Sequence, residues 1–136
     1  MRVPLNPYLN FDGNTREVVL YYASVFGLEE PKIMTFGSNP QSNIPPGTED
    51  LVMHAQLEIA GGKLMFSDNF PGRPFQQGNN FSLAYVSSDK EAIKTAFDKL
   101  KQGGKVELEL QETSWSPYYG YLTDKFGIGW QFNYES

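Results

Sequence analysis

The sequence contains the same pattern of elements twice. One helical pattern begins at Asn14 and stops at Gly27, and a second begins at Ser88 and stops at Gly103. The starts lie 74 residues apart (88 − 14) and the stops 76 residues apart (103 − 27), so each repeat is roughly 65–75 residues long. A duplicated unit of this length predicts two sheets joined around one shared cleft, where a ligand would bind.

Both helix starts carry the same polar signature. Asn14 lies three residues before Glu17, and Ser88 lies three residues before Glu91. Such pairs satisfy backbone N–H groups that have no partner in the first turn of a helix. The sequence therefore predicts that Asn14 and Ser88 cap the two helices.

Alternation of apolar and polar residues predicts eight strands. The clearest one places five apolar side chains on one face and Val52, His54, Gln56 and Glu58 on the other. Turn signals rich in glycine separate the strands of each hairpin. The predicted strands are Leu5–Phe11, Lys32–Gly37, Leu51–Ala60, Lys63–Asp68, Phe81–Ser87, Lys105–Glu112, Tyr118–Asp124 and Ile128–Tyr134.

The order of elements is βαβββ followed by βαβββ. Doubly wound parallel folds need a crossover helix after nearly every strand, whereas most strands here are joined by short turns. We therefore predict an α+β fold of two tandem βαβββ modules, with curved, mixed, mostly antiparallel sheets around a shared cleft. The modules cover about 1–70 and 77–136 of a single domain, 1–136. The loop Gly37–Asp50 is long enough to be a candidate lid.

Charge and composition exclude several classes of function. The formal net charge of −5 argues against a non-specific nucleic-acid surface and against binding to anionic membranes. The absence of cysteine excludes disulfides, thiolate metal sites and cysteine nucleophiles. The N-terminus has no apolar signal core, and no window approaches 18 consecutive apolar residues. We expect a soluble cytoplasmic protein.

Five stretches of the sequence carry a family resemblance, and together they span nearly the whole chain in order. They are Pro7–Asn14, Val52–Ala55, Leu64–Asp68, Gln111–Trp115 and Leu122–Gly127 with Trp130. The paired βαβββ units resemble the glyoxalase, bleomycin-resistance and extradiol-dioxygenase group, also called the vicinal oxygen chelate superfamily, and the five stretches resemble its PhnB-like branch. PhnB-like sequences often carry a methyltransferase label, but this chain lacks the glycine-rich loop and the length of a doubly wound cofactor domain.

The resemblance implies two alternative functions. One is a bleomycin-resistance type of protein that binds a small aromatic or cationic molecule in the cleft, and the other is a metal-dependent glyoxalase- or dioxygenase-like enzyme. It also implies a homodimer. The metal ligands of the superfamily map near Asn6 or Pro7, Phe66, residues 80–82 and Gln131, of which Gln131 alone is a plausible ligand. The usual metal site is therefore predicted to be dismantled.

His54 and Glu112 are the candidate catalytic residues. His54 is the only histidine and lies mid-strand on the polar face, so it is a candidate general base or metal ligand. Glu112 ends a strand beside Trp115, which suits a general base or a second metal ligand. One histidine with carboxylates or amides would suit Mn, Fe, Ni or Zn. The structural alternatives are a hydrogen-bonded strand histidine and a solvated strand-end charge.

The candidate ligand-binding residues lie on the mixed polar and aromatic faces of the strands. We expect the aliphatic faces to pack on the helices, so the mixed faces line the cavity, with Glu112 and Trp115 at its rim. The structural alternative is a cavity that is filled by its own aromatic side chains and binds no ligand. Asp68 is interpreted as structural. The candidate ligand-binding residues are Tyr8, Asn10, Gln56, Phe66, Trp115 and Gln131.

Overall fold

The computed structural model describes residues 5–38, 44–70 and 72–136. The chain divides into two compact units, Met1–Gln76 and Gln77–Ser136. Among the described residues, no helix has the length and apolar character needed to cross a membrane.

The first unit is a four-stranded sheet with one helix. The sheet order is β1-β4-β3-β2, in which β1 pairs parallel with β4 and the other pairs are antiparallel. The elements are β1 Tyr8–Phe11, α1 Thr15–Val25, β2 Ile33–Thr35, a 3₁₀ turn Phe36–Ser38, β3 Val52–Ile59 and β4 Gly62–Asp68.

The second unit repeats this arrangement. Its sheet order is β5-β8-β7-β6, again with a parallel outer pair, β5 with β8, and antiparallel neighbours elsewhere. The two modules and the α+β class predicted from the sequence are confirmed, while assignment of 1–136 as a single domain stays a prediction. The elements are β5 Ser82–Ser87, α2 Lys90–Leu100, β6 Lys105–Gln111, β7 Tyr119–Thr123 and β8 Gly129–Tyr134.

Helix α1 ends as its sequence predicts but begins differently. Gly27 adopts φ +65°, and the Leu28 N–H donates to the Ala23 carbonyl at 2.8 Å, which closes the C-terminus. Asn14 is the N-cap residue, yet its side chain makes no capping bond. The Oδ1 atom of Asp68 instead accepts from the Thr15 N–H at 3.1 Å. The prediction of an Asn14 side-chain cap was wrong, and the carboxylate at the end of β4 binds the first N–H of the helix.

Helix α2 is capped by the residue after the predicted one. Asp89, not Ser88, is the N-cap, and its Oδ1 accepts from the N–H groups of Glu91 at 3.0 Å and Ala92 at 3.2 Å. A carboxylate at this position also interacts favourably with the positive end of the helix dipole.

In each unit the helix covers one face of the sheet. Tyr22 of α1 packs on Phe66 of β4 with ring centroids 6.0 Å apart, and both side chains are fully buried. Phe97 of α2 packs edge-on against Phe132 of β8 at 5.3 Å. Gly120 passes so close to α2 that a Cβ there would lie 3.0 Å from the Phe97 ring. Aromatic packing between helix and sheet therefore forms each core.

The burial of Phe66 corrects one sequence-based placement. Phe66 pairs with Leu9 on one side and Ala55 on the other, and all three are buried beneath α1. Its neighbour Met65 points to the opposite face because successive strand residues alternate. Phe66 therefore lies in the core beneath α1. Met65 occupies the opposite face, where Phe66 was predicted to lie.

A bulge corrects the predicted faces of β3. Met34 of β2 pairs with His54, but the next residue, Thr35, pairs with Val52, so Met53 is an extra residue on β3. Val52 is consequently buried, although strict alternation placed it with His54. Residues 39–43 of the predicted lid lie outside the described residues, and the Gly37 N–H bonds to the Glu49 carbonyl at 2.9 Å.

Asp68 ties three segments of the first unit together. Its Oδ1 accepts from the N–H groups of Gly13 at 3.0 Å and Thr15, and its Oδ2 accepts from the Val52 N–H at 2.7 Å. We expect Asp68→Asn to lower the free energy of unfolding by roughly 2–4 kcal/mol, because an amide has one acceptor oxygen and places an NH₂ group against a backbone donor.

Chemical denaturation would measure this loss. The matched control is Asp12→Asn, since Asp12 is an exposed carboxylate in the turn beside Asp68 and should change stability by less than about 0.5 kcal/mol. Equal effects of the two substitutions would show that the buried carboxylate does not hold these segments.

Candidate functional site

The first candidate surface is the face of the first sheet opposite α1, which we call the His54 face. Strand register assigns its members: Tyr8 pairs with Met65, Met65 with Gln56, Asn10 with Ser67, and Met34 with His54. Each member is half-buried or exposed, in contrast to the buried row under α1. The His54 face consists of Tyr8, Asn10, Met34, His54, Gln56, Met65 and Ser67.

Two hydrogen bonds organise the polar side chains of this face. The Tyr8 hydroxyl lies 3.1 Å from His54 Nδ1, and the two rings are 5.9 Å apart. The Asn10 Nδ2 donates to Ser67 Oγ at 2.7 Å. Because Tyr8 holds Nδ1, the histidine ring has a defined orientation, with Nε2 as the nitrogen left for another group. The arrangement suits a hydrogen-bond donor or acceptor of fixed direction.

The second candidate surface is the face of the second sheet opposite α2, which we call the Trp115 face. The Tyr119 hydroxyl donates to Gln131 Oε1 at 2.7 Å, and Gln131 Nε2 donates to Ser82 Oγ at 2.9 Å. Residues flanking Gln131 on β8, Trp130 and Phe132, are buried on the helix side. Gln131 therefore lies on the open face, as alternation predicted, with both ends of its amide already bonded.

Trp115 stands above this chain of hydrogen bonds. Its indole packs edge-on against the Tyr119 ring at 5.5 Å, yet 68% of the residue remains exposed. The loop that carries it is tied by Ser116, which is buried: its N–H donates to Thr113 Oγ1 at 3.1 Å and its hydroxyl to the Tyr118 carbonyl at 3.1 Å. The loop thus presents a large aromatic surface to solvent from a well-bonded base.

The predicted site residues fall into two groups. Tyr8, Asn10, His54 and Gln56 share the His54 face, and Gln131 with Trp115 shares the Trp115 face. Glu112 is exposed in the second unit, just after β6, so its predicted partnership with His54 stays a prediction.

The ligand-binding residues predicted from the sequence do not include four residues of these faces. Met34 and Met65 belong to the His54 face, and Ser82 and Tyr119 belong to the Trp115 face. Tyr119 and Tyr121 lie two residues apart on β7 and therefore share a face. This spacing was the one signal in the sequence that could have placed Tyr119 on the Trp115 face. The others depend on which residues stand opposite each other across strands.

The donor atoms do not fit a conventional divalent metal centre. Across residues 5–38, 44–70 and 72–136, no three His, Asp or Glu side chains lie close enough together to hold an ion. Gln131 is the one plausible ligand among the positions that the superfamily resemblance indicates, and its amide already bonds to Tyr119 and Ser82.

The fold is the one found in glyoxalase and bleomycin-resistance proteins. FosX from Listeria monocytogenes, crystallised with Mn(II) and a dihydroxypropylphosphonic acid, has the same fold with a TM-score of 0.65 at 13% identity, over 100% of this chain and 94% of that one.

Closer relatives identify the family within this class. Residues 4–133 match the family model described as 3-demethylubiquinone-9 3-methyltransferase. Protein YjdN of Escherichia coli is 38% identical over 96% of this chain and 95% of its own. The structures of PA1353 from Pseudomonas aeruginosa (TM-score 0.86, 32% identity, 98% of both chains) and of a PhnB protein from Bacillus cereus (TM-score 0.75, 29% identity, 96% and 98%) are similar. The chain belongs to this PhnB-like family.

Tyr119 offers a test of the Trp115 face. Burial raises the pKa of Tyr119 above its ordinary value of 10.0, and the charge of ionised Tyr121 adds to the rise. The folded chain thus holds this proton at a pH where the unfolded chain has released it. The stability that this provides is complete below pH 10 and declines as the pH rises through the folded-state value.

The measurement is an ultraviolet titration of phenolate formation. Subtracting the curve of Tyr119→Phe from that of the natural chain should leave one ionisation with a midpoint above 10.0. A midpoint at or below 10.0 would contradict the buried, hydrogen-bonding role of the Tyr119 hydroxyl.

Proposed function

We propose that this chain is a small-molecule binding protein whose guest is a planar, preferably cationic, aromatic compound that stacks on Trp115. The observation that carries the proposal is the exposure of Trp115 on a loop held by Ser116 and against Tyr119. A rigid, solvent-facing indole provides a large contact area at little cost in conformational entropy. We include Gln131 in the proposed site because it accepts a hydrogen bond from Tyr119, which packs against Trp115.

Charge supports a cationic guest. The chain carries a formal net charge of −5, which attracts cations to its surface. The face of an indole ring also attracts cations through its quadrupole, and among aromatic side chains tryptophan does so best. Both effects act in the same direction at Trp115. The expectation that the His54 face and the Trp115 face line one cleft stays a prediction.

The methyltransferase description of the family does not carry over to a function here. Nucleotide-derived cofactors bind doubly wound folds at the ends of parallel strands beside a glycine-rich turn. Within the described residues, each sheet has four strands and a single parallel pair, β1 with β4 or β5 with β8. The geometry supports binding on an open sheet face instead.

The alternative function is a metal-dependent glyoxalase- or dioxygenase-like enzyme that uses His54 and Glu112 with Zn, Ni, Mn or Fe. It draws on the superfamily resemblance and on the oriented ring of His54. Gln131 argues against it, because both ends of its amide are already hydrogen-bonded. Binding is therefore the function that the contacts favour.

Tryptophan fluorescence tests the proposal, since the chain has two tryptophans in contrasting environments. Trp130 is buried and its Nε1 donates to Asp124 Oδ2 at 2.9 Å, whereas Trp115 is exposed. We expect N-methylquinolinium to quench Trp115 saturably. Neutral quinoline and tetramethylammonium should bind more weakly. Trp115→Leu should weaken binding of the probe about tenfold, measured by calorimetry, because stacking and cation–π contacts contribute about 1–2 kcal/mol.

Phe70→Leu is the matched control, since Phe70 is an exposed aromatic of the other unit. Equal loss in both variants, or saturable binding that survives Trp115→Leu, would contradict the proposed site. Metal analysis of untagged protein distinguishes the binding function from the alternative enzyme. A stoichiometric divalent metal that is lost in His54→Ala would overturn a metal-free binding function.

We also expect a homodimer. Each sheet has two edge strands, β1 and β2 in the first unit and β5 and β6 in the second, and exposed edges favour association. The superfamily resemblance points the same way. Light scattering at micromolar concentration should give twice the mass of 15.4 kDa. A monomeric mass would contradict this expectation.

A further inference from the structure

Methionines flank the only histidine of the chain. Three of the four methionines belong to the first sheet: Met34 on β2, Met53 on β3 and Met65 on β4. Met34 and Met65 lie on the His54 face by strand register. Met53 is the extra residue of the bulge, so strand register does not assign it to a face.

The register brings two thioethers within reach of His54. Met34 is the direct cross-strand partner of His54, and such partners have Cβ atoms about 5 Å apart. On the other side, Ala55 pairs with Phe66, so His54 stands opposite Ser67 and diagonal to Met65. Diagonal neighbours lie about 7–8 Å apart, a gap that long side chains span. Methionine, with three rotatable bonds, is well suited to close it.

Tyr8 orients the imidazole between them. Its hydroxyl lies 3.1 Å from Nδ1, and Tyr8 is itself the register partner of Met65. A metal-bound histidine usually has its second ring nitrogen held by such a hydrogen bond, which sets the tautomer and the ring orientation. Here that bond engages Nδ1, which leaves Nε2 as the nitrogen that can bind a metal ion.

We propose that Met34, Met65 and Nε2 of His54 bind a soft monovalent metal ion, Cu(I). Thioethers are soft ligands that select Cu(I) over hard or borderline divalent ions, and imidazole also binds copper. All three ligands are neutral, which suits a single positive charge better than a double one. All three ligands belong to the first unit, and the site needs none of the Asp and Glu side chains whose clustering marks a conventional centre.

The site is open to an incoming ion. Met34 is 42% exposed and Tyr8 is 43% exposed, while His54 and Met65 are half-buried. The exposed thioether of Met34 gives an ion access from solvent, and the half-buried imidazole of His54 opposite it holds the bound ion. The competing explanation is that the methionines form an adaptable apolar floor for an organic guest, and the experiment separates the two.

The test uses Ag(I), a stable analogue of Cu(I), with protein carrying ¹³C-labelled methionine methyl groups. We expect one Ag(I) per chain by calorimetry, with shifts of the methyl resonances that Met34→Leu and Met65→Leu assign. Each of these substitutions, and His54→Ala, should weaken Ag(I) binding more than tenfold. Tyr8→Phe should weaken it about tenfold, the usual effect of losing a group that orients a ligand. Cu(I) under anaerobic conditions, in competition with a chromophoric chelator, should follow the same order.

Glu58→Gln is the matched control, because Glu58 is exposed on the same strand as His54 and is none of the proposed ligands. It should leave Ag(I) affinity unchanged, and circular dichroism checks the fold of every variant. The proposal is overturned if the Met34 and Met65 resonances do not move, or if His54→Ala binds Ag(I) as tightly as the natural chain. It is equally overturned if only an organic cation shifts those methyl resonances.

Discussion

The carboxylate of Asp68 is the contact on which the first unit depends. It is the last residue of β4, it is buried, and it receives backbone N–H groups from the turn before α1, from the start of α1 and from the start of β3. One side chain thereby sets where the helix begins and where the neighbouring strand enters the sheet. A buried carboxylate with three donors is stable because hydrogen bonds replace the water that it has lost. With the start of α1 fixed in this way, Tyr22 packs on Phe66, and the face of the sheet that carries Phe66 becomes part of the core.

Covering one face of each sheet is what creates the candidate sites. Once α1 and α2 occupy one side, the side chains that alternate with the core rows must lie on the other. On the His54 face these are polar and sulfur-containing groups around an oriented imidazole. On the Trp115 face they are an amide and a hydroxyl in a chain of hydrogen bonds beneath an exposed indole. The two units share topology but differ in the chemistry of the faces opposite their helices.

The side chains of the two faces favour soft or flat guests over a conventional divalent metal centre. Such a centre needs several anionic or imidazole donors aimed at one point. Within the described residues no three His, Asp or Glu side chains lie close enough together to provide them, and the amide of Gln131 is already bonded at both ends. The thioether of Met34 and the indole of Trp115 are exposed, and these surfaces support the binding of soft or flat guests.

The sequence by itself determined the two βαβββ modules, the positions of their helices and strands, and the open-face placement of Tyr8, Asn10, His54, Gln56 and Gln131. These follow from periodicity and turn residues, which act over a few positions along the chain. Only the tertiary structure decided that the Asp68 carboxylate binds the first N–H of α1, where the sequence predicted an Asn14 cap. It likewise decided that Met65 rather than Phe66 lies on the face opposite α1. It also decided that Met34 stands opposite His54 and that Tyr119 meets Gln131. Each of these depends on contacts between segments distant in sequence and on a bulge that shifts the register, and local patterns carry no information about either.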